Sequence, residues 1–179
     1  MKLRELISRF RRLPERGEVD LTPAEVYSAL VNRLLTEGYR LYGADPLERR
    51  VILSMGGEHG RWTAVIRVWE PSALVTVISR LEGRIPEGLA PQALEHLNRI
   101  NYEAKLVGNW EMNPDEGWVH YRTSGFMTTR GAVDRTFMLL VSANFASVDR
   151  DGREIGAWFG VVESAETGED RLAEMTAIH

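Results

Sequence analysis

The sequence predicts an α+β fold in which helices flank an antiparallel sheet, in the order α-β-β-β-α-β-β-α. Three observations predict it. Apolar residues recur at helical spacing in three separated segments. Between them lie runs of period-two alternation joined by short, turn-rich connections, which make consecutive strands antiparallel. The helices stand before, between and after the strand groups and do not alternate singly with strands, which excludes a doubly wound parallel sheet.

The first helix is announced by Thr22-Pro23-Ala24-Glu25. Thr22 suits the cap, Pro23 the first helical position, and Glu25 completes a capping box. Val26, Leu30, Val31, Leu34 and Leu35 then repeat at helical spacing, and Gly38 ends the helix. Residues 40–44 are a candidate short strand, which leaves three or four strands before the next helix. Residues 50–55 and 61–69 read as strands joined by Gly56-Gly57-Glu58-His59-Gly60. In the second of these, Trp62, Ala64, Ile66 and Val68 share one face. After Pro71-Ser72, residues 74–81 (LVTVISRL) form another strand, rich in β-branched side chains.

A loop marked by Pro86 and Gly88 leads to a second helix from Ala90-Pro91, with Ala93, Leu94, Leu97 and Ile100 along one side. Strands over 105–112 and 118–123 flank Asn113-Pro114-Asp115-Glu116-Gly117. There Pro fixes φ, Asp favours the turn and Gly tolerates positive φ. A last helix starts near Gly131-Ala132, with Val133, Phe137, Leu140, Val141, Phe145 and Val148 as its stripe.

Length and composition bound the function. The 179 residues suit one domain with short appendages, here residues 17–162. With 44% apolar and 27% charged residues, the composition is that of a globular protein. The absence of cysteine excludes disulfides, thiolate metal sites and cysteine nucleophiles, and fits a reducing cytoplasm. No apolar run approaches the roughly 18 residues of a membrane span, and the first residues lack the apolar region of a signal peptide. A cytoplasmic location is the resulting expectation.

Charge is concentrated at the two ends. Residues 1–16 carry six bases against two acids, net +4, with Leu3, Leu6, Ile7, Phe10 and Leu13 at helical spacing. This basic amphipathic helix either docks on its own domain or uses Arg4, Arg9, Arg11 and Arg12 on a membrane or nucleic-acid backbone. Residues 163–179 carry five acids against Arg171, net −4, with few large apolar side chains. That tail is expected to be mobile or marginally helical.

The motifs of chemistry are missing. The four histidines, His59, His96, His120 and His179, have no metal-ligand spacing. Gly56-Gly57-x-x-Gly60 is too short for a dinucleotide fingerprint. The two lysines, Lys2 and Lys105, form no phosphate-binding motif. Ser124-Gly125 is not a nucleophile elbow, and Asp115-Glu116, Asp149 and Asp151 fall in turns or near helix ends. The expectation is no catalytic residue, no metal and no cofactor.

Four tryptophans, Trp62, Trp69, Trp110 and Trp118, lie in expected strands. Trp62 and Trp69 are seven apart and so point to opposite faces. The second face is either a groove for a partner or is covered by a helix or subunit. Asn98 and Asn101, three apart near a helix end, are expected to hold the last carbonyls or the next strand.

Residues 93–102 (ALEHLNRINY), followed by Gly108, Trp110, Asp115, Gly117, Val119, Tyr121 and Arg122, resemble the YbjN family, whose fold is similar to type III secretion chaperones. The resemblance covers roughly residues 20–160 and leaves out the basic start and the acidic tail. It implies a non-catalytic protein. Chaperones of that shape are homodimers that bind extended client segments, and YbjN-like proteins are linked to bacterial stress responses as regulators. On this reading Trp62, Val65, Arg67 and Trp69 are the candidates to face a client protein, one active in stress response or nucleic-acid processing. Leu97, Trp110 and Trp118 are the candidates for a dimer interface.

Overall fold

The computed structural model describes residues 20–104 and 107–159. The basic segment 1–16, with Arg4, Arg9, Arg11 and Arg12, and the tail 163–179 lie outside the described residues.

Helix α1 spans Pro23–Thr36. Its capping box is formed: the Thr22 hydroxyl accepts from the Glu25 backbone N–H, and the Glu25 carboxylate accepts from the Thr22 N–H at 2.8 Å. These bonds hold the Glu25 carboxyl below the usual carboxylate range. Strands β1 (Leu41–Asp45), β2 (Arg50–Gly57), β3 (Gly60–Trp69) and β4 (Leu74–Leu81) follow. A short 3-10 turn, Glu87–Leu89, leads into α2, Ala90–Ala104. Strands β5 (Asn109–Met112) and β6 (Val119–Phe126) come next. Helix α3 opens at Arg130–Ala132, passes through a π segment, Val133–Phe137, and continues over Met138–Gly156.

Among the described residues the fold is thus α+β, with an antiparallel sheet of six strands and three helices. The order differs from expectation by one strand. Residues 41–45 do pair with β2, giving four strands before α2. β5 also begins at Asn109 and not at residue 105.

The sheet order is β1-β2-β3-β4-β6-β5. After β4 the chain crosses through α2 to the far edge, lays down β5, and returns as β6 beside β4. The β2–β3 connection is a tight turn at Glu58-His59, closed by Gly57 opposite Gly60. The β5–β6 turn is fixed by Asn113, whose Oδ1 accepts from the Asp115 N–H at 3.0 Å, and by Gly117 at φ +72°.

One face of the sheet carries the core. Val51, Leu53, Trp62, Ala64, Ile66, Val68, Val75, Val77, Val119 and Tyr121 pack there. Against them lie Val26, Leu30 and Leu34 of α1, Ala93 and Leu97 of α2, and the stripe of α3 from Val133 to Ile155. Two expected core positions differ: Leu35 and Leu94 are exposed, because the sheet reaches only a narrow side of each helix. Burying this one continuous apolar surface is the main force that holds the layers together.

Candidate functional site

Period-two geometry sends every second side chain of the sheet to the opposite face. Strand pairing sets these residues in rows. One row is Ile52, Val65, Ile78 and Arg122, register partners across β2, β3, β4 and β6. A second is Arg50, Arg67, Thr76 and Ser124. A third is Ser54, Thr63, Arg80, His120 and Glu111. Ile52 and Val65 form a small cluster separate from the main core. Among the described residues, every buried apolar residue of the three helices belongs to the main core and none to that cluster. No described helix packs on this second face, yet Ile52, Val65, Thr76, Ile78 and Arg80 at its centre are buried, while Arg67, Trp69, Trp118 and Arg122 around them are half-buried.

Its apolar centre is small and its rim is made of arginine and tryptophan. At the β3–β4 end, the Arg67 guanidinium lies 4.1 Å from the Trp69 ring centre, and Trp69 Nε1 donates to Thr76 Oγ1 at 3.0 Å. Phe126, exposed over 64% of its surface, closes that end. At the other end, Arg80 and Arg84 stand 4.0 and 4.1 Å from the Trp118 ring. Such guanidinium–indole contacts hold an aromatic plane and a positive charge together at a surface. Carboxylates are interleaved: Glu48 pairs with Arg67 at 2.9 Å and Asp45 with Arg50 at 3.7 Å.

Glu111 gathers the β5–β6 corner. Its carboxylate accepts from Arg122 at 3.0 Å, from Asn109 Nδ2 at 2.7 Å and from His120 Nε2 at 2.8 Å. A carboxylate only accepts, so His120 carries a proton on Nε2. The hydrogen bond from His120, then that from Asn109 and the charge of Arg122, hold the Glu111 carboxyl below its ordinary range against the opposing effect of burial. With its acceptors engaged, Glu111 is built to organise the corner and is badly placed to serve as a base.

The edges of the sheet are treated differently from its face. Asn101 on α2 donates from Nδ2 to the Trp110 carbonyl at 2.9 Å and accepts from the Trp110 N–H at 2.7 Å. One side-chain amide thus takes both outward backbone groups of Trp110, as a neighbouring strand would. The β1 edge is five residues long and its register slips between Leu41 and Gly43. Short, irregular edges resist strand addition.

The candidates named from the sequence divide accordingly. Val65, Arg67 and Trp69 come together on the second face, Arg67 and Trp69 half-buried and Val65 buried against Ile52. Trp62 does not join them: it points into the core, 4% exposed, edge-on to Phe145. Trp118 lies on the open-face rim. Leu97 and Trp110 are buried inside the protomer, Trp110 with its Nε1 donating to Asp151 Oδ2 at 3.1 Å. Asn101 fulfils the strand-holding role, whereas Asn98 is exposed. Sequence reasoning missed Arg80, Arg84 and Glu111. Their only signal was alternation around Arg122 and Trp118.

His96 bridges helices and does not address a ligand. Its Nδ1 accepts from Arg99 at 3.1 Å, its Nε2 lies 3.1 Å from Glu154, and its ring packs on Trp158. The His59 backbone N–H donates to Asp149 at 3.1 Å and ties the β2–β3 turn to α3. Among the described residues no group of three or more His, Asp or Glu is placed to hold a metal ion, and no helix is long and apolar enough to cross a membrane. None of the protein-family models matches the chain, and no curated protein matches it either.

Proposed function

We propose that this is a non-catalytic, dimeric protein-binding module, chaperone-like or adaptor, that receives an exposed client segment on the open face of its sheet. The observation that carries the reading is a sheet whose described helices all lie on one side, and whose other side carries exposed Phe126 and half-buried Trp69 and Trp118 with arginines around a buried centre of Ile52, Val65 and Ile78. Tryptophan and arginine are the side chains most often found at binding hot spots. The YbjN-like helix and turn, and the chaperone-like element pattern, support the same reading, and with it a cytoplasmic role in a bacterial stress response. The clamp on β5 and the irregular β1 favour docking on the face over strand addition at an edge.

The test compares the full chain with Trp69→Ala/Trp118→Ala, and with Tyr102→Ala on the exposed side of α2 as a control. Cross-linked partners from nuclease-treated native cytosol are expected to survive in the control and vanish in the double variant. Light scattering at micromolar concentration reads the dimer. Partners retained by the double variant would sink the face assignment. A second reading rests on the +4 charge of residues 1–16: binding to nucleic acid or an anionic membrane through Arg4, Arg9, Arg11 and Arg12. It predicts binding that falls steeply with salt and disappears when those arginines are replaced.

A further inference from the structure

Trp62, which points away from the second face, lines a cleft of about 270 Å³ on the helix-covered side of the sheet. Its apolar walls are Trp62 of β3, Leu81 of β4, Val148 of α3 and Phe159 beyond the helix end. On the helix it meets Gly152 and Gly156, one turn apart, where the backbone carries no side chain. The two glycines differ. A Cβ at Gly152 would press on the Leu81 side chain at 3.3 Å, so close packing of helix on sheet accounts for it. A Cβ at Gly156 would meet, outside its own helix, only the Phe159 ring at 3.9 Å. No described neighbour requires a glycine there, and its bareness keeps the cleft open. The cleft also borders an unsatisfied donor. The Trp62 indole Nε1 is buried and has no acceptor, whereas Trp110 donates to Asp151 and Trp69 to Thr76. A buried indole N–H usually finds a partner, and leaving it without one is costly.

We propose that this cleft is a binding site for a small, uncharged aromatic molecule whose polar group accepts a hydrogen bond from Trp62 Nε1. Three physical points carry it. Size is the first: a cavity of about 150 Å³ takes a benzene ring, so about 270 Å³ takes a ring with a short substituent. The lining is the second. Walls of aromatic and aliphatic side chains favour a ring, and Trp62 and Phe159 can pack on it edge to face. Charge is the third. Arg61 and Glu82, of opposite sign, both line the cleft, so neither anion nor cation is singled out. Burying a charge against the apolar walls would also cost far more than burying a carbonyl. The buried polar side-chain atom that lacks a partner is a donor that cannot accept, so the ligand supplies the acceptor. The cleft lies across the sheet from Trp69, and the inference requires no client.

The test titrates the full chain with acetophenone, and with ethylbenzene, which has nearly the same shape and no acceptor. Nuclear magnetic resonance follows the amides of Gly152 and Gly156 and the Trp62 indole N–H, one of five indole signals. Both probes are expected to shift the two glycine amides saturably. Acetophenone alone is expected to move the Trp62 indole proton downfield, as a new hydrogen bond does. Amides of Asn32 on α1 and Leu47 near the β1 edge should stay in place. Gly156→Leu, which fills the cleft from the helix end, is expected to abolish the shift at Gly152. In Trp62→Phe the affinity for acetophenone relative to ethylbenzene should fall about two- to tenfold, the worth of one hydrogen bond. No saturable shift with acetophenone, or binding that survives unchanged in Gly156→Leu, overturns the site. An indole proton that stays still, or that moves downfield equally with both probes, overturns the acceptor, as does an unchanged affinity ratio in Trp62→Phe. The indole proton is read in the parent, so it decides the acceptor even if Trp62→Phe does not fold. None of these outcomes touches the client reading, whose test depends on captured partners.

Discussion

Replacing Asn101 tests whether the β5 edge is closed by a side chain. Its amide makes two hydrogen bonds to Trp110, at 2.9 and 2.7 Å, from a half-buried position. Each such bond contributes about 0.5–1.5 kcal/mol net, so Asn101→Ala is expected to cost about 1–3 kcal/mol. Asn101→Asp separates the two bonds. It keeps an acceptor for the Trp110 N–H but sets a carboxylate oxygen against the Trp110 carbonyl, so it should recover little of the loss. Urea unfolding of the three proteins measures this, with an unchanged slope showing that the midpoint reports stability. The edge argument adds a second readout. With the amide gone, an outward N–H and C=O of β5 become available for pairing, and light scattering should show new, concentration-dependent association for Asn101→Ala. Stability within about 0.5 kcal/mol of the parent, together with unchanged association, would refute the idea that this amide substitutes for a seventh strand.

Three further outcomes are expected. Glu111 has a depressed pKa, held down chiefly by the His120 hydrogen bond. Its contribution to stability is therefore present above the ordinary value of 4.5 and is lost as pH falls through the lowered one. Acid titration of stability should accordingly show a smaller fall below pH 4.5 for Glu111→Gln than for the parent, and equal falls would remove the effect. Gly117→Ala meets a positive φ and the Ile85 carbonyl. It should cost more than the roughly 1–2 kcal/mol of the left-handed conformation alone, read by thermal unfolding. Asn144 is fully buried and donates to the Val77 and Tyr121 carbonyls at 2.9 and 3.1 Å, pinning α3 to β4 and β6. Asn144→Ala should cost about 2–4 kcal/mol from the lost bonds and the cavity left behind, measured by denaturant midpoint.

Local chemistry made much of the fold legible. Thr22 and Glu25 sit at the spacing a capping box requires, and the box is formed. The seven-residue separation of Trp62 and Trp69 put them on opposite faces of β3, because parity in a strand is fixed by the backbone. The role of Asn101 followed from its place at the end of a helix beside a strand. What could not be read depends on contacts distant in sequence. Trp110 looked as available as Trp118, and its burial comes from α2, Tyr121 and an Asp151 that lies 41 residues away. β1, Leu-Tyr-Gly-Ala-Asp, has no periodic signal, and only its pairing with β2 makes it a strand. The arginine clusters are invisible until β6 inserts between β4 and β5, bringing residues about 40 apart into register.

That insertion also explains why the face, and not an edge, is the candidate surface. A sheet offers a partner two kinds of binding: backbone pairing at an edge, or side-chain contact on a face. Here the edge reached by the crossover is sealed by Asn101, and the other is five residues long with a slipped register. The face keeps both stacked tryptophans and the arginines beside them. If a dimer and a client both use it, they exclude one another, and at a fixed excess of client the fraction of protein holding client should rise as the protein is diluted. A bound fraction that stayed constant on dilution would place any dimer interface elsewhere.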